Sequence, residues 1–283
     1  MQQYIDLHTH STASDGSMSP RELVRHAKHS GLTAIALTDH DTISGIEEAL
    51  DEARSIGFEV IPGLEISCDF KPELHMLAYF LQDNYMKMKD ILEDLRENRE
   101  QRNPKIVAKL NEMGFNITMD EIRAEAGGDI VGRPHIAKVL MKKGYVESIH
   151  QAFEEYLAGG RPAYFKRDRL TPEQGIEEIR KAGGLPVLAH PIHLGMDYAQ
   201  LDELLGELVP KGLMGMEVYY VDNTEEDTQH LERLAKKHNL LATGGSDYHG
   251  TFKPEINIGT GFGNLKVPYE LLDKIRLTIK SSM

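Results

Sequence analysis

The sequence predicts an α/β fold: a parallel sheet clothed in helices and interrupted once by an all-helical segment. Two observations predict it. Short apolar runs alternate with amphipathic stretches of helical period toward both ends of the 283-residue chain, the pattern of strands joined by crossover helices. Between residues 85 and 165 those runs stop, and only helical patterns remain.

Taken in order, residues 4–7 make a first strand. A helix opens at Ser19-Pro20-Arg21-Glu22, where serine caps, proline suits the first turn and glutamate completes a capping box. Leu23, Val24 and Ala27 give it an apolar side, and Gly31 ends it. Ala34-Ile35-Ala36-Leu37 is a buried strand running straight into Thr38-Asp39-His40-Asp41. Residues 44–57 are helical, with Ile46, Ala49, Leu50, Ala53 and Ile56 on one side. A strand at 58–61 leads to Pro62-Gly63-Leu64-Glu65, and 75–81 is another. In the helical segment, 86–102 and 104–113 form two helices divided at Pro104, and Gly114 stops the second. Thr118-Met119-Asp120-Glu121 is a capping box, and helices follow at 134–143 and 148–157. The α/β rhythm resumes at Thr171-Pro172-Glu173. Strands at 185–189, 214–219 and 240–243 then alternate with helices at 201–209, 224–238 and 268–280. A nearly closed barrel and a doubly wound open sheet both satisfy this order. Both place ligands at the carboxyl ends of the strands.

Composition narrows the function. At 40% hydrophobic and 27% charged residues the chain reads as a soluble globular protein. No apolar run approaches the roughly 18 residues of a membrane span, and residues 1–6 lack the basic and apolar regions of a signal peptide. Cys68 is the only cysteine, so no internal disulfide forms. A cytoplasmic location and a buried, inert thiol are expected. The net charge of -13 argues against a broad nucleic-acid-binding surface. It leaves room for a small anionic substrate, because bound cations invert the local field.

The chemistry collects after the strands. The first ends in His8-Thr9-His10, with Asp15 in its loop; the second leads to His40 and the third to Glu65. The strand at 185–189 leads to His190, and the last leads to Asp247 and His249. His75 opens its strand and approaches Glu65 through a short turn. A lone histidine is more often structural than a ligand, and Asp15 before Gly16 also reads as a turn residue. Imidazole and carboxylate at five strand ends of one sheet, however, are the donor set for zinc, manganese or iron.

Together, His8-Thr9-His10, Thr38-Asp39-His40, Glu65, His75, Ala189-His190-Pro191 and Ser246-Asp247-Tyr248-His249 resemble the PHP (polymerase and histidinol phosphatase) family. The resemblance covers about 1–81 and 171–283. It implies a distorted (β/α)7 barrel with an all-helical insertion. Residues 1–84 and 166–283 would form the barrel, and 85–165 the cap over the substrate. It also implies two or three divalent metal ions. His8, His10, Glu65 and Asp247 would hold one. Glu65 would bridge to a second with His75 and His190, and Asp15, His40 and His249 would hold a third. Nine ligands with three carboxylates carry about −3 and three divalent ions about +6, a surplus that attracts phosphate. Closely spaced metals generate hydroxide at neutral pH and clamp both oxygens of an in-line displacement. No Walker loop and no nucleophile elbow compete with this reading.

Substrate contacts are expected from the insertion and its return. Arg133 and His135 in Val131-Gly132-Arg133-Pro134-His135 lie at a helix start, where a guanidinium grips phosphate in bidentate fashion. Lys166, beside Tyr164 and Phe165, and His193, three residues after His190, are further candidates. His249 and His193 are the candidates to protonate a departing alkoxide. The expected activity is hydrolysis of a nucleotide phosphomonoester, such as AMP or a 3',5'-bisphosphate. The rivals are 5'-to-3' exonuclease action on short RNA, histidinol phosphate hydrolysis, and a nonenzymatic scaffold or sensor. The partner is thus a small phosphorylated molecule or short RNA, with no membrane; the residues carry no signal for an oligomeric state.

Overall fold

The computed structural model describes residues 3–80, 83–126, 131–165 and 169–281. Its strands are β1 (Tyr4–Thr9), β2 (Ala34–Leu37), β3 (Glu59–Cys68), β4 (Leu74–Tyr79), β5 (Leu185–Leu188), β6 (Gly215–Tyr220), β7 (Leu241–Gly245) and β8 (Val267–Pro268). They form one sheet in the order β7-β6-β5-β4-β3-β2-β1-β8. Past the end of β7 the chain returns to β1: Tyr248 O accepts the His10 N–H at 2.9 Å, and Thr9 and Tyr248 form a parallel bridge. The sheet is therefore a nearly closed barrel, as expected.

Helices follow most strands, and not all of them pack on the outside of the sheet. They are α1 (Pro20–His29), α2 (Ile46–Ile56), α3 (Lys89–Glu112), α4 (Met119–Ala126), α5 (Arg133–Lys142), α6 (Ile149–Ala152), α7 (Pro172–Lys181), α8 (Tyr198–Leu208), α9 (Glu225–Lys237) and α10 (Glu270–Ser281). The α1 capping box forms as its sequence predicts, with Ser19 and Glu22 each bonded to the other's backbone N–H. Side-chain alternation sorts the strand residues into two shells. Ile35, Leu37, Leu64, Ile66, Met76, Met216 and Val218 face the helices in one buried cluster. Ile5, Leu7, Ala34, Ala36, Leu77 and Val187 fill the inside, where α10 adds Leu271, Leu272 and Ile275. By the same alternation Glu65, His75 and Glu217 point inward.

The strand at 58–61 proves to be the first part of a longer one. It runs on through Pro62 and Gly63 to Cys68. Gly63 makes this passage possible, because a Cβ there would stand 2.8 Å from Ala78 O and 3.0 Å from Leu37 O. β3 is parallel to β2 but antiparallel to β4, with Ser67 opposite His75, and β4 is antiparallel to β5. This hairpin is the distortion of the barrel. It puts Glu65 on a strand, opposite Leu77 and two residue pairs from His75.

The two helices expected at 86–102 and 104–113 are one, since α3 runs through Pro104 and Met113 caps it before Gly114. The start of α3 packs on the outer barrel cluster through Leu92 and Leu95. Its far end joins a separate cluster with α4 and α5 that includes Ile106, Leu110, Ile122, Ile136 and Leu140. Among the described residues, no helix is long and apolar enough to cross a membrane.

Candidate metal centre

Six segments converge at one mouth of the barrel. β1 places His8 and His10 there, both fully buried. Its following loop turns back at Gly16, where a Cβ would fall 2.2 Å from His10 O, and so returns Asp15 to the ring of His10. Beyond β2, Asp39 accepts from Ser11 N at 2.7 Å, Ser11 Oγ at 2.7 Å and Ser14 Oγ at 2.6 Å. That carboxylate ties the β1 loop to the His40 segment. His190 and Asp247 both adopt positive φ, 25° and 53°. Non-glycine residues held this way just past strand ends mark backbone strained to aim a side chain.

Glu65 is the hub. Its Oε2 lies 3.2 Å from His8 Nε2, 3.3 Å from His10 Nε2 and 3.2 Å from His40 Nδ1. Its Oε1 lies 2.8 Å from His75 Nδ1 and 2.9 Å from His190 Nε2. Asp247 Oδ1 lies 3.2 Å from His10 Nε2, and Asp15 Oδ1 lies 3.3 Å from His249 Nε2. Three groups have donor atoms within 4.8 Å of one another: His8, His10, Glu65 and Asp247; His40, Glu65 and His75; and His10, Asp15, His40 and His249.

Both ring nitrogens of His10 and Nδ1 of His40 are buried and make no hydrogen bond, although carboxylate oxygens surround them. Orphaned buried nitrogens of this kind are costly in an apolar or self-satisfied core. They fit a place where lone pairs meet cations, and the donors suit zinc, manganese or iron.

The electrostatics point the same way. Burial opposes charge on His8, but Glu217, Glu65 and Asp247 outweigh it and hold the ring well above the imidazole range. Burial likewise opposes charge on His10 and His75, yet Asp247 and Glu65 raise the first to about 9, and Glu65 and Glu73 raise the second to about 10. At His40 burial wins and lowers the ring to about 4. Burial pushes the carboxyls of Asp15, Glu65 and Asp247 upward. His40 leads the opposing charges at the first two and Lys253 at the third, and all three end well below the usual carboxylate range. Protons shared among imidazoles thus balance the carboxylates, and a divalent cation would displace them.

The PHP domain model matches residues 6–174. The chain belongs to the PHP domain family. A 5'-3' exoribonuclease of Haemophilus influenzae is 37% identical over 250 residues, 88% of this chain and 91% of its own. A 3',5'-nucleoside bisphosphate phosphatase of Chromobacterium violaceum is 30% identical over 257 residues, 90% of this chain and 90% of its own. A crystal structure from Bifidobacterium adolescentis, of a protein inferred to be a metal-dependent phosphoesterase, superposes with a TM-score of 0.85 at 30% identity. The match covers 97% of this chain and 96% of that one. The PHP chain is accordingly a phosphoesterase that depends on divalent metals.

All nine sequence-predicted PHP ligand residues meet in this mouth. The substrate candidates stand around it. Arg133 opens α5 and donates from Nη2 to Glu73 Oε2 at 3.1 Å, within a cavity of about 270 Å³ that also reaches His75, His190, Arg102 and Arg169. His135 borders the same cavity but is buried, and its Nδ1 accepts the Gly132 N–H at 3.0 Å. His193 is half-exposed at the rim, its ring 5.0 Å from that of His190 and its Nε2 2.9 Å from Asp222 Oδ2. Lys166 lies outside the described residues.

Sequence reasoning missed several partners. Glu217, fully buried mid-strand on β6, lies 3.1 Å from His8 Nδ1 through Oε1 and accepts the His190 N–H through Oε2 at 2.8 Å. A charged residue inside the apolar run 214–219 was the available signal. Glu73 gathers Arg133, Arg169 at 2.8 Å and His75 at 3.4 Å. Asp247 Oδ2 accepts from Tyr220 OH at 3.0 Å and Lys253 Nζ at 2.6 Å. Asp6 accepts from Ser246 N at 2.9 Å and Gly259 N at 2.7 Å, pinning the β7 end to β1. Glu73, Arg169 and Lys253 lie in segments without period, so no pattern announces them.

Proposed function

We propose that this PHP protein hydrolyses a nucleotide phosphoester at the convergence of His8, His10, Asp15, His40, Glu65, His75, His190, Asp247 and His249. These residues would hold two or three divalent cations, of manganese, zinc or iron. When bound, such cations polarise the phosphoryl group and supply a nucleophile at neutral pH. The remaining chemistry belongs to the chain. Residues 85–165 act as the cap. Arg133 and Arg169 grip a second phosphate of the substrate, taking it in exchange for part of their contact with Glu73. His193, oriented by Asp222, passes its proton to the departing oxygen.

The observation that carries this reading is the adjacency of two unlike anion sites. Glu73 spans from the Arg133 and Arg169 guanidiniums to the ring of His75. Two phosphates of one nucleotide fit that arrangement better than one, which favours a 3',5'-bisphosphate over AMP. The test is product analysis of purified protein, with manganese, zinc or iron, on AMP, adenosine 3',5'-bisphosphate and 5'-phosphorylated RNA. Release of phosphate from the bisphosphate supports the reading, and no hydrolysis with any metal rejects it.

Exonuclease action on short RNA is the second reading. The 37% identity to an exoribonuclease favours it, as does a wider cavity of about 620 Å³ that overlaps the first and is lined by Glu65, Asp247 and His249.

A further inference from the structure

The two oxygens of Asp247 face different company. Oδ1 lies 3.2 Å from His10 Nε2 and 3.5 Å from His8 Nε2, within the candidate cation group that Glu65 completes. Oδ2 accepts from Lys253 Nζ at 2.6 Å and from Tyr220 OH at 3.0 Å. A carboxylate oxygen offers two lone pairs, so these two donors fill Oδ2 and leave Oδ1 alone for a cation. The other two acidic residues of the centre are not held this way. Among the described residues, the ion-pair partners of Asp15 and Glu65 are all histidines. Both oxygens of Glu65 face imidazoles.

Lysine is a flexible side chain, but the backbone beneath Lys253 is locked. Gly250 has a φ of 64°, and a Cβ there would collide with Ser17 Oγ. Ser17 Oγ accepts the Thr251 N–H at 2.8 Å, and the Ser17 N–H donates to His249 O at 3.1 Å. Lys253 donates its own N–H to Gly250 O at 3.1 Å, and its carbonyl accepts the Ile256 N–H at 3.1 Å. Beside it, Lys138 Nζ stands 3.8 Å over the ring of Phe252 and ties this loop to α5. Tyr220 ends β6, its ring 5.5 Å from that of His190 and 5.2 Å from that of His193. Asp247, at a φ of 53°, is thus gripped from two elements, β6 and the loop after β7.

An ammonium on the far oxygen has opposed effects. It draws charge from the carboxylate and sets a positive charge beside the centre, and both weaken the hold on a divalent cation. With Tyr220 it also stops Asp247 from turning to offer both oxygens. Weaker donation by a ligand leaves a bound cation the stronger Lewis acid toward a phosphoryl oxygen. We infer that Lys253, with Tyr220, is a positioning residue that confines Asp247 to one donor oxygen, lowering cation affinity and raising turnover. This role rests on the phosphoesterase reading of the same site and deepens it.

The test is titration calorimetry of manganese alone into chelator-treated protein, set beside hydrolysis of adenosine 3',5'-bisphosphate at saturating manganese. Lys253→Met keeps the length of the side chain and removes its charge and its hydrogen bond. It should bind manganese about tenfold more tightly, the low end of the range for groups behind a metal ligand, while kcat falls about tenfold. Lys253→Arg, which keeps charge and donor, should restore both. Tyr220→Phe removes one hydroxyl from the same oxygen and should move both quantities the same way by a smaller factor, so the sign is read even where the methionine variant fails to fold. A lysine serving only packing would lose affinity and turnover together. Weaker or unchanged manganese binding in either folded variant, or tighter binding with unchanged kcat, overturns this role. Absence of hydrolysis by the wild type with manganese, zinc or iron overturns the phosphoesterase reading instead, and the calorimetry alone then decides how Asp247 is held.

Discussion

Glu217 Oε1 stands 3.1 Å from His8 Nδ1, and the other oxygen of the same carboxylate accepts the backbone N–H of His190 at 2.8 Å. One buried side chain on β6 therefore sets the ring orientation of a residue on β1 and the backbone of a residue after β5. It turns His8 Nε2 toward Glu65 and Asp247. Carboxylates in this outer position typically change metal affinity by about 10–100-fold. Glu217→Gln, which keeps shape and loses charge, should weaken cation binding by that factor, as titration calorimetry on chelator-treated protein would read. Unchanged affinity would mean that Glu217 serves packing only.

His8→Ala and Asp247→Ala remove proposed ligands from the two segments that meet where the barrel closes. Each should lower phosphoester hydrolysis by more than about a hundredfold, since even outer-shell substitutions reach that range. The far-ultraviolet circular dichroism should stay that of an α/β protein. A variant that kept full activity would place the reaction elsewhere in the molecule, and it would favour the scaffold reading.

The pH dependence of the cation-free protein follows from the buried protons. His10 and His75 are raised to about 9 and about 10 from an ordinary value of 6.5. Raised groups contribute stability that is complete below 6.5 and lost as pH climbs through 9 and 10. The lowered carboxyls of Asp15, Glu65 and Asp247 act in the opposite sense: their contribution is present above the ordinary carboxylate range and lost as pH falls below that range toward their lowered values. Thermal unfolding of chelator-treated protein should thus show a maximum near neutrality and a falling Tm toward pH 10. Because cations displace the same protons, their affinity should rise across that alkaline limb. A Tm that climbed above pH 8 in the cation-free protein would run against this assignment.

Arg133 and Arg169 share Glu73, at 3.1 and 2.8 Å. Charge-assisted hydrogen bonds are worth about 1.5–3 kcal/mol each, or roughly 10–100-fold in binding. Arg133→Ala should raise KM for a nucleotide 3',5'-bisphosphate within that range and change KM for AMP much less. Steady-state kinetics on the two substrates separates this from a general loss of cap packing, which would affect both alike.

The fold was legible in the sequence where local chemistry and global position agree. Ser19 and Thr171 cap their helices as expected, and the histidines after β1, β2, β5 and β7 announce themselves by following apolar runs. What stayed hidden depends on partners far apart in the chain. The expected strand stops at Ile61, before Pro62-Gly63, yet with Ala78 and Leu37 packed close on Gly63 the strand runs on to Cys68. Pro104 reads as a break, yet α3 continues through it, packed on the barrel at one end and the helical cluster at the other. Glu217 reads as one charge inside an apolar run, and only the closed barrel brings its carboxylate to His8, 209 residues away in the chain.

The most direct measurement is anomalous diffraction from crystals soaked in manganese, collected at the absorption edge. The account predicts two or three peaks within bonding distance of His10, Glu65, His40, His190, Asp247 and their neighbours, with Glu65 touching more than one. Peaks confined to the outer surface, or none in the barrel mouth at full soaking, would contradict it.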